Sequence, residues 1–444
     1  MASLARMLRL RDLVFIVVGT VIGSGIFLVP GPVLRASGGS VGVALLVWTA
    51  AGVLSLLGAL TYGELGAMKP DAGGLYVYIR DAFGPLPAFL YGWTAFLVIG
   101  SGSIATLAVA FNSYLGQFVD LSPLAGKLVA LAMIAVVMLV NVRGARQGAD
   151  VQNVSTILKV TAIVAMSVVL LVAGRGWSHV TAVWPAHADA SLFRGIGLAM
   201  VSVLWAYEGW QYATFSAGET IDPQRTFPRG IVIGTALLIG IYVLVNVAYV
   251  AALGTKGAAA SDRIAAQAVG ITVGPAAANI IAAIILVSMF SAANGLALTA
   301  PRMYYAMARD GLFFSRMARI HPRYGTPAFA IMASCSWAMV LAASGTFEQL
   351  LTYVVFVGWI FYALGALAIF VYRRRVPDAV RPFRTPGYPL TPILFVLSAA
   401  AIVGNTVVAE PRRAAVGLGL MALGVPAYLV WRFTARAARK TPGE

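Results

Sequence analysis

The sequence predicts an all-α membrane protein of twelve spans, and three observations carry that expectation. Of 444 residues, 60% are hydrophobic and 11% are charged, against about a quarter charged in a typical soluble domain. Twelve apolar stretches, at 12–34, 41–66, 83–119, 126–142, 152–174, 194–218, 227–254, 273–308, 327–344, 350–372, 389–409 and 412–434, approach or exceed the roughly 20 residues that a bilayer demands. With the N-terminus placed inside, 23 of the 32 lysines and arginines fall in inner segments and 8 in outer ones. That asymmetry follows the positive-inside rule and puts both termini in the cytoplasm, in a plasma membrane of the bacterial inner-membrane type. It also accounts for the net charge of +16 without nucleic acid as a partner.

Span 1 carries the most informative local feature. The run Gly19-Thr20-Val21-Ile22-Gly23-Ser24-Gly25-Ile26-Phe27-Leu28-Val29-Pro30 places two glycines around a serine in mid-membrane. Such residues form helix poorly, and lipid leaves broken backbone unsatisfied unless protein or a cavity provides partners. In carriers, breaks of this kind bind small substrates on freed amides and carbonyls. An α-amino acid needs donors for its carboxylate, which Ser24, Gly25 and Ile26 supply at the start of a half-helix. Its ammonium needs acceptors, and the Val21 and Ile22 carbonyls suit it. The plain alternative is that these glycines only allow close helix packing.

The later spans add fewer signals. Lys159 in span 5 is the one basic residue well inside a span. An unpaired charge there costs on the order of 2.5–3.5 kcal/mol, so it pairs, deprotonates or snorkels to the interface. Span 6 holds Trp205-Ala206-Tyr207-Glu208-Gly209-Trp210-Gln211-Tyr212, a polar, glycine-bearing interruption five spans after the first. Matching interruptions in two five-span halves point to inverted repeats with a midplane site. Glu219, Asp222, Arg225 and Arg229 at its inner end, Arg302, and Glu64 closing span 2 read as exposed loop or gate contacts of little individual energy. Asn294 in span 8 reads as a link between helices. The stretch 373–388 reads as a basic connector between spans 10 and 11.

Several function classes are disfavoured. One cysteine, Cys335 in span 9, and three loop histidines (His179, His187, His321) provide no disulfide framework, metal site or catalytic triad. No cofactor, metal or enzymatic activity is expected. No nucleotide loop supports a primary pump. A channel needs charge rings or a carbonyl filter, and a sensor needs more than the short termini 1–11 and 435–444. The apolar run continues past any plausible cleavage site, so no signal peptide is expected. The chain 1–444 reads as a single transmembrane domain.

A set of motifs resembles the amino acid–polyamine–organocation superfamily, and within it the L-type amino acid transporters. They are Gly19 to Pro30, Tyr62-Gly63-Glu64-Leu65-Gly66, Gly73-Gly74-Leu75-Tyr76, Phe83-Gly84-Pro85-Leu86-Pro87-Ala88-Phe89 and Asn141-Val142-Arg143. Glu219-Thr220-Ile221-Asp222-Pro223, Ser291-Ala292-Ala293-Asn294-Gly295 and Ala308-Arg309-Asp310-Gly311-Leu312 continue the pattern in order. The resemblance implies a LeuT-like fold: inverted five-helix repeats over 1–174 and 194–372, two further helices over 389–434, and helices 1 and 6 unwound in mid-membrane. It implies sodium-independent transport of L-amino acids, small or medium and neutral, by exchange or proton-coupled uptake. It also points to carbonyls of Trp205, Ala206 and Glu208 at the site, with Gln211 shaping it. Trp205 is implied as an aromatic gate. Lys159 is implied to bridge carbonyls near Val21 to the hydroxyl of Ser291, in the space a sodium ion takes in relatives. The loop around Asp120-Leu121-Ser122-Pro123 lacks the cysteine that links vertebrate L-type proteins to an accessory glycoprotein, so no disulfide-linked subunit is expected. Glu208 departs from the vertebrate pattern. Its carboxylate leaves open a cationic amino acid or polyamine substrate, a coupling proton, or a purely structural role.

Overall fold

A computed structural model describes residues 6–440 apart from 72, 182, 186 and 188. Side chains of 145, 146 and 433–440 lie outside the described residues, and with them those of the counted cations Arg146, Arg436, Arg439 and Lys440. The described chain is helical, with a single β-bridge pairing Leu8 and Thr220 in place of any strand. Eleven helices are long and apolar enough to cross a membrane. The ninth expected span forms the helix Ala328–Ser344, which at 17 residues is too short to count among them. Its length is about 26 Å at the helical rise, slightly less than the hydrocarbon core.

Helix starts follow capping chemistry. The Ser40 side chain accepts from the Val43 amide at 3.3 Å to open Val41–Met68, and that of Ser122 from Ala125 at 3.2 Å to open Pro123–Arg143. Thr346 and Gln349 form a reciprocal capping box at the head of Phe347–Arg375. Pro85, Pro123, Pro223, Pro275 and Pro411 occupy first turns, where a missing N–H costs nothing.

Burial sorts the helices into a centre and a periphery. Spans 1 and 3 are 72% and 78% buried across their most apolar windows, whereas the Pro411–Arg432 window is 22% buried. Spans 4 and 5 turn Leu124, Leu128, Leu139, Val154, Ile157 and Val172 outward, as lipid-facing surfaces do. Span 3 is not one regular helix. Pro85–Thr94 passes through a π-helical turn, Ala95–Ile99, into Gly100–Leu115, and the Tyr304 hydroxyl donates to the Ala95 carbonyl there at 3.1 Å. The turn re-aims the following Gly100-Ser101-Gly102-Ser103 segment; such turns recur at functional sites.

Spans 1 and 6 are broken where the sequence placed the interruptions. Span 1 runs as Leu10–Val21, then Gly25–Leu28 and Pro30–Ala36. Span 6 runs as Ala190–Ala206, leaves the helix at Tyr207–Gly209, and resumes as the 3-10 segment Trp210–Glu219. Gly209 has φ +133°, a conformation closed to most side chains. The two breaks lie against each other: a Cβ on Gly25 would stand 2.5 Å from Cα and Cβ of Ala206.

Candidate functional site

The broken backbone of span 1 leaves unused hydrogen-bonding capacity beside a small central cavity. Among the described residues, the amides of Gly23, Ser24, Gly25 and Ile26 donate to no protein group, while Phe27 and Leu28 resume helical bonding to the Ser24 carbonyl. Thr20, Val21, Gly23, Ser24, Gly25, Ser103, Leu107, Trp205, Glu208 and Leu296 line a cavity of 20 Å³. The buried Thr20 hydroxyl, among them, has no partner. Four unpaired amides beside a half-helix start form an anion-binding end, with the partial positive charge of the helix behind them.

Carbonyls released by both breaks are gathered by side chains from outside. The Tyr242 hydroxyl in span 7 lies 2.8 Å from the Ala206 carbonyl and 3.2 Å from that of Val21, joining the two broken helices. The Lys159 ammonium, fully buried, donates to the carbonyls of Gly19 at 2.5 Å and Ile22 at 2.7 Å. The Ser288 hydroxyl in span 8 donates to the same Ile22 carbonyl at 3.0 Å. Span 1 is thereby held to spans 5, 7 and 8 at its break.

Span 6 contributes a carboxylate. Glu208 receives two hydrogen bonds on one oxygen, from Gln211 Nε2 at 2.5 Å and from the Tyr362 hydroxyl at 2.6 Å. The other carboxamide atom of Gln211 accepts from the Gly209 amide at 3.2 Å. Glu208 also lines the central cavity and keeps 7% of its surface exposed. Among the described residues this carboxyl group is held by neutral donors, and its side chain forms part of the cavity wall.

Both approaches to this cavity are closed. On one side Trp205 Nε1 donates to the Ser24 hydroxyl at 3.4 Å, and Phe347 meets the Trp205 ring edge-on at 6.4 Å. On the face bearing the start of the chain, Arg302 bonds both carboxylate oxygens of Glu219, with 5% and 8% of the side chains exposed. The amides of Met7 and Leu8 donate to the Glu219 carbonyl at 2.8 and 2.9 Å. At 20 Å³ the cavity is close to the size of one water molecule. Admitting an amino acid therefore requires the lids to move.

A family model for amino acid permeases matches residues 8–430. The chain belongs to the amino acid permease family. It is 33% identical to the human cystine/glutamate transporter over 442 residues, 97% of this chain and 86% of that protein. It is 33% identical to the human large neutral amino acids transporter small subunit 2, over 94% of this chain and 78% of the other. The serine/threonine exchanger of Bacillus subtilis is 30% identical, over 93% and 94% of the two chains. This permease is thus a multi-pass membrane protein that transports amino acids rather than an enzyme.

Within the permease, Val21, Ile22, Ser24, Gly25, Ile26, Trp205, Ala206, Glu208 and Gln211 all lie at or beside the two breaks. Some take other partners than expected. The Trp205 carbonyl accepts from the Glu208 amide at 3.0 Å, and the Ala206 and Val21 carbonyls share Tyr242. The hydroxyl of Ser291, expected at Lys159, instead donates to Gln152 Oε1 at 3.4 Å, and Ser288 one turn earlier meets the Ile22 carbonyl. Helical periodicity explains the difference, since residues three apart share a face. Asn294 links helices, donating to the Gly148 carbonyl at 3.0 Å and accepting from Asn141 at 2.8 Å.

The reading of Glu219 with Arg302 and of Glu64 as exposed pairs is overturned. Both carboxylates are buried. Glu64 is gripped by Arg373 at 2.9 and 2.7 Å and by the Thr385 amide at 2.6 Å. Helix-end charges are buried here because the 373–388 connector folds back over the end of span 2. Tyr242, Tyr362, Ser103 and Ser288 went unrecognised in the sequence. Only Ser103, inside the Gly100-Ser101-Gly102-Ser103 run, carried a visible signal; single tyrosines in apolar helices carry none.

Proposed function

We propose that this permease is a sodium-independent exchanger of small or medium neutral L-amino acids, alternating access around the breaks in spans 1 and 6. The supporting observation is the span 1 break itself, with free amides on its cavity side and the Lys159 ammonium on the carbonyls behind. The amides take the substrate carboxylate, and carbonyls of the two breaks take its ammonium. Lys159 supplies the fixed positive charge that a sodium ion would otherwise bring, so binding needs no cation. Trp205 acts as the outer lid over Ser24, and the Glu219–Arg302 pair closes the other end.

In this reading the chain forms twelve spans, as two inverted five-span repeats (1–174 and 194–372) and a terminal pair, in a bacterial-type inner membrane. The face with Leu8, Glu219 and Arg302 is cytoplasmic, as the charge asymmetry favours. Two of the relatives, a serine/threonine exchanger and a large neutral amino acids transporter, support neutral substrates and exchange.

A second reading, a cationic amino acid carrier, is favoured by one observation: the buried Glu208 carboxyl group on the cavity wall. Uptake of labelled L-serine, L-leucine and L-ornithine into sodium-free proteoliposomes, empty or preloaded with the same amino acid, tests both. Preload-dependent uptake of serine or leucine is expected. Ornithine uptake that Glu208→Gln abolishes while serine exchange persists would establish the second reading. No stimulation by any preload would overturn exchange.

A further inference from the structure

A cavity larger than the central one lies outside that site, on the face away from Glu219 and Arg302. It measures 640 Å³, within the range of small-molecule pockets. Phe347 lines it and also touches the Trp205 lid, so the cavity sits directly above the closed central site. Its apolar wall comes from Leu28, Val29 and Pro32 of span 1 and from Leu198 and Val201 of span 6, the two helices that carry the breaks.

The charges around this cavity are balanced but not fully paired. Three arginines and three carboxylates line it. Arg35 stands 4.0 Å from Asp262, and Arg413 stands 3.4 Å from Glu410. Among the described residues, that leaves Arg263 and Glu348 without an opposite charge in ion-pair range. Arg263 uses one nitrogen on Gln117 Oε1 at 3.2 Å, which fixes its position and leaves its other donors available. Glu348 follows Phe347 directly in the first turn of its helix. One unpaired guanidinium and one unpaired carboxylate in the same partly apolar cavity form the charge complement of a zwitterion.

We infer that this cavity is an outer recruiting site for zwitterionic amino acids, with Arg263 taking the carboxylate and Glu348 the ammonium before the Trp205 lid opens. The inference rests on the proposed transport of amino acids through the central site. Substrate held there touches Phe347, and so is placed against the lid that must yield. A guanidinium fits a carboxylate by its fork geometry as well as its charge, so lysine at position 263 is an incomplete substitute.

Right-side-out and inverted membrane vesicles from cells expressing the permease separate the two faces, with labelled L-serine as the probe. Arg263→Gln and Glu348→Gln are each expected to raise KM for outward-facing entry by about 2- to 5-fold, the scale of one exposed charged contact. In inverted vesicles KM and maximal rate stay at wild-type values, which a folding defect would not allow. Equal KM on both faces, or an equal change on both, would overturn the recruiting site. Absence of serine exchange by the wild type in either vesicle would instead overturn the transport reading, before any variant is made. A side difference found only in phosphatidylethanolamine-containing proteoliposomes would assign the cavity to a lipid headgroup and overturn the proposal.

Discussion

Replacing Lys159 with glutamine probes the device that holds span 1 in place. The ammonium makes two charge-assisted hydrogen bonds, 2.5 Å to the Gly19 carbonyl and 2.7 Å to that of Ile22. Bonds of this kind contribute about 1.5–3 kcal/mol each, so roughly 3–6 kcal/mol ties span 5 to span 1 in this closed conformation. If opening on the face that Glu219 and Arg302 close withdraws Leu10–Val21 from span 5, that energy enters the equilibrium between states. A shift of this size changes the population ratio by about 150- to 25,000-fold. Glutamine restores one neutral bond at best, and water recovers part of the rest, so a change of at least about tenfold is expected. The assay is L-serine exchange in proteoliposomes, paired with alkylation of a cysteine placed at Ser216, which is 2% exposed on the wall of the cavity beside Glu219 and Arg302, in a Cys335→Ala background. Exchange should fall at least tenfold and alkylation should accelerate. Wild-type exchange together with unchanged alkylation would refute the reasoning, because the two bonds would then carry no difference between states.

Three further perturbations bear on the same site. Gly25→Ala forces a methyl to within 2.5 Å of the Ala206 Cα; overpacking costs about 1–3 kcal/mol, and uptake should be lost with a measurable fall in Tm. Tyr242→Phe removes the hydroxyl shared by the Val21 and Ala206 carbonyls. A loss of about 1 kcal/mol should appear as a several-fold rise in substrate KM with little change in expression. Arg302→Ala strands the buried Glu219 carboxylate, a change that costs about 3–5 kcal/mol. It should speed alkylation of the same Ser216→Cys probe, and unchanged labelling would show that the pair does not close this face.

The breaks were legible because they are local: Gly23-Ser24-Gly25 and Gly209 disfavour helix whatever surrounds them, and Glu208 is costly in lipid. Lys159 was equally visible, since a lone charge in an apolar helix needs a partner. The span 8 serine that shares its Ile22 carbonyl was not legible to the residue. Choosing Ser288 over Ser291 depends on helix rotation, which an evenly apolar span such as 273–308 does not fix. The same holds for Tyr242 and Tyr362, whose roles arise only when spans 7 and 10 pack against the breaks. The burial of Glu64 and Glu219 escaped because it depends on distant chain folding over helix ends, the 373–388 connector in one case and Met7-Leu8 in the other. The π turn at Ala95–Ile99 left no compositional mark at all.

Sodium dependence tests the central claim most directly. Initial rates of L-serine exchange would be compared in proteoliposomes bathed in sodium or in choline salts at matched ionic strength and pH. Equal rates are expected, because the Lys159 ammonium already occupies the carbonyls of Gly19 and Ile22. Exchange that required sodium and rose with its concentration would contradict the assignment of Lys159 as the built-in cation.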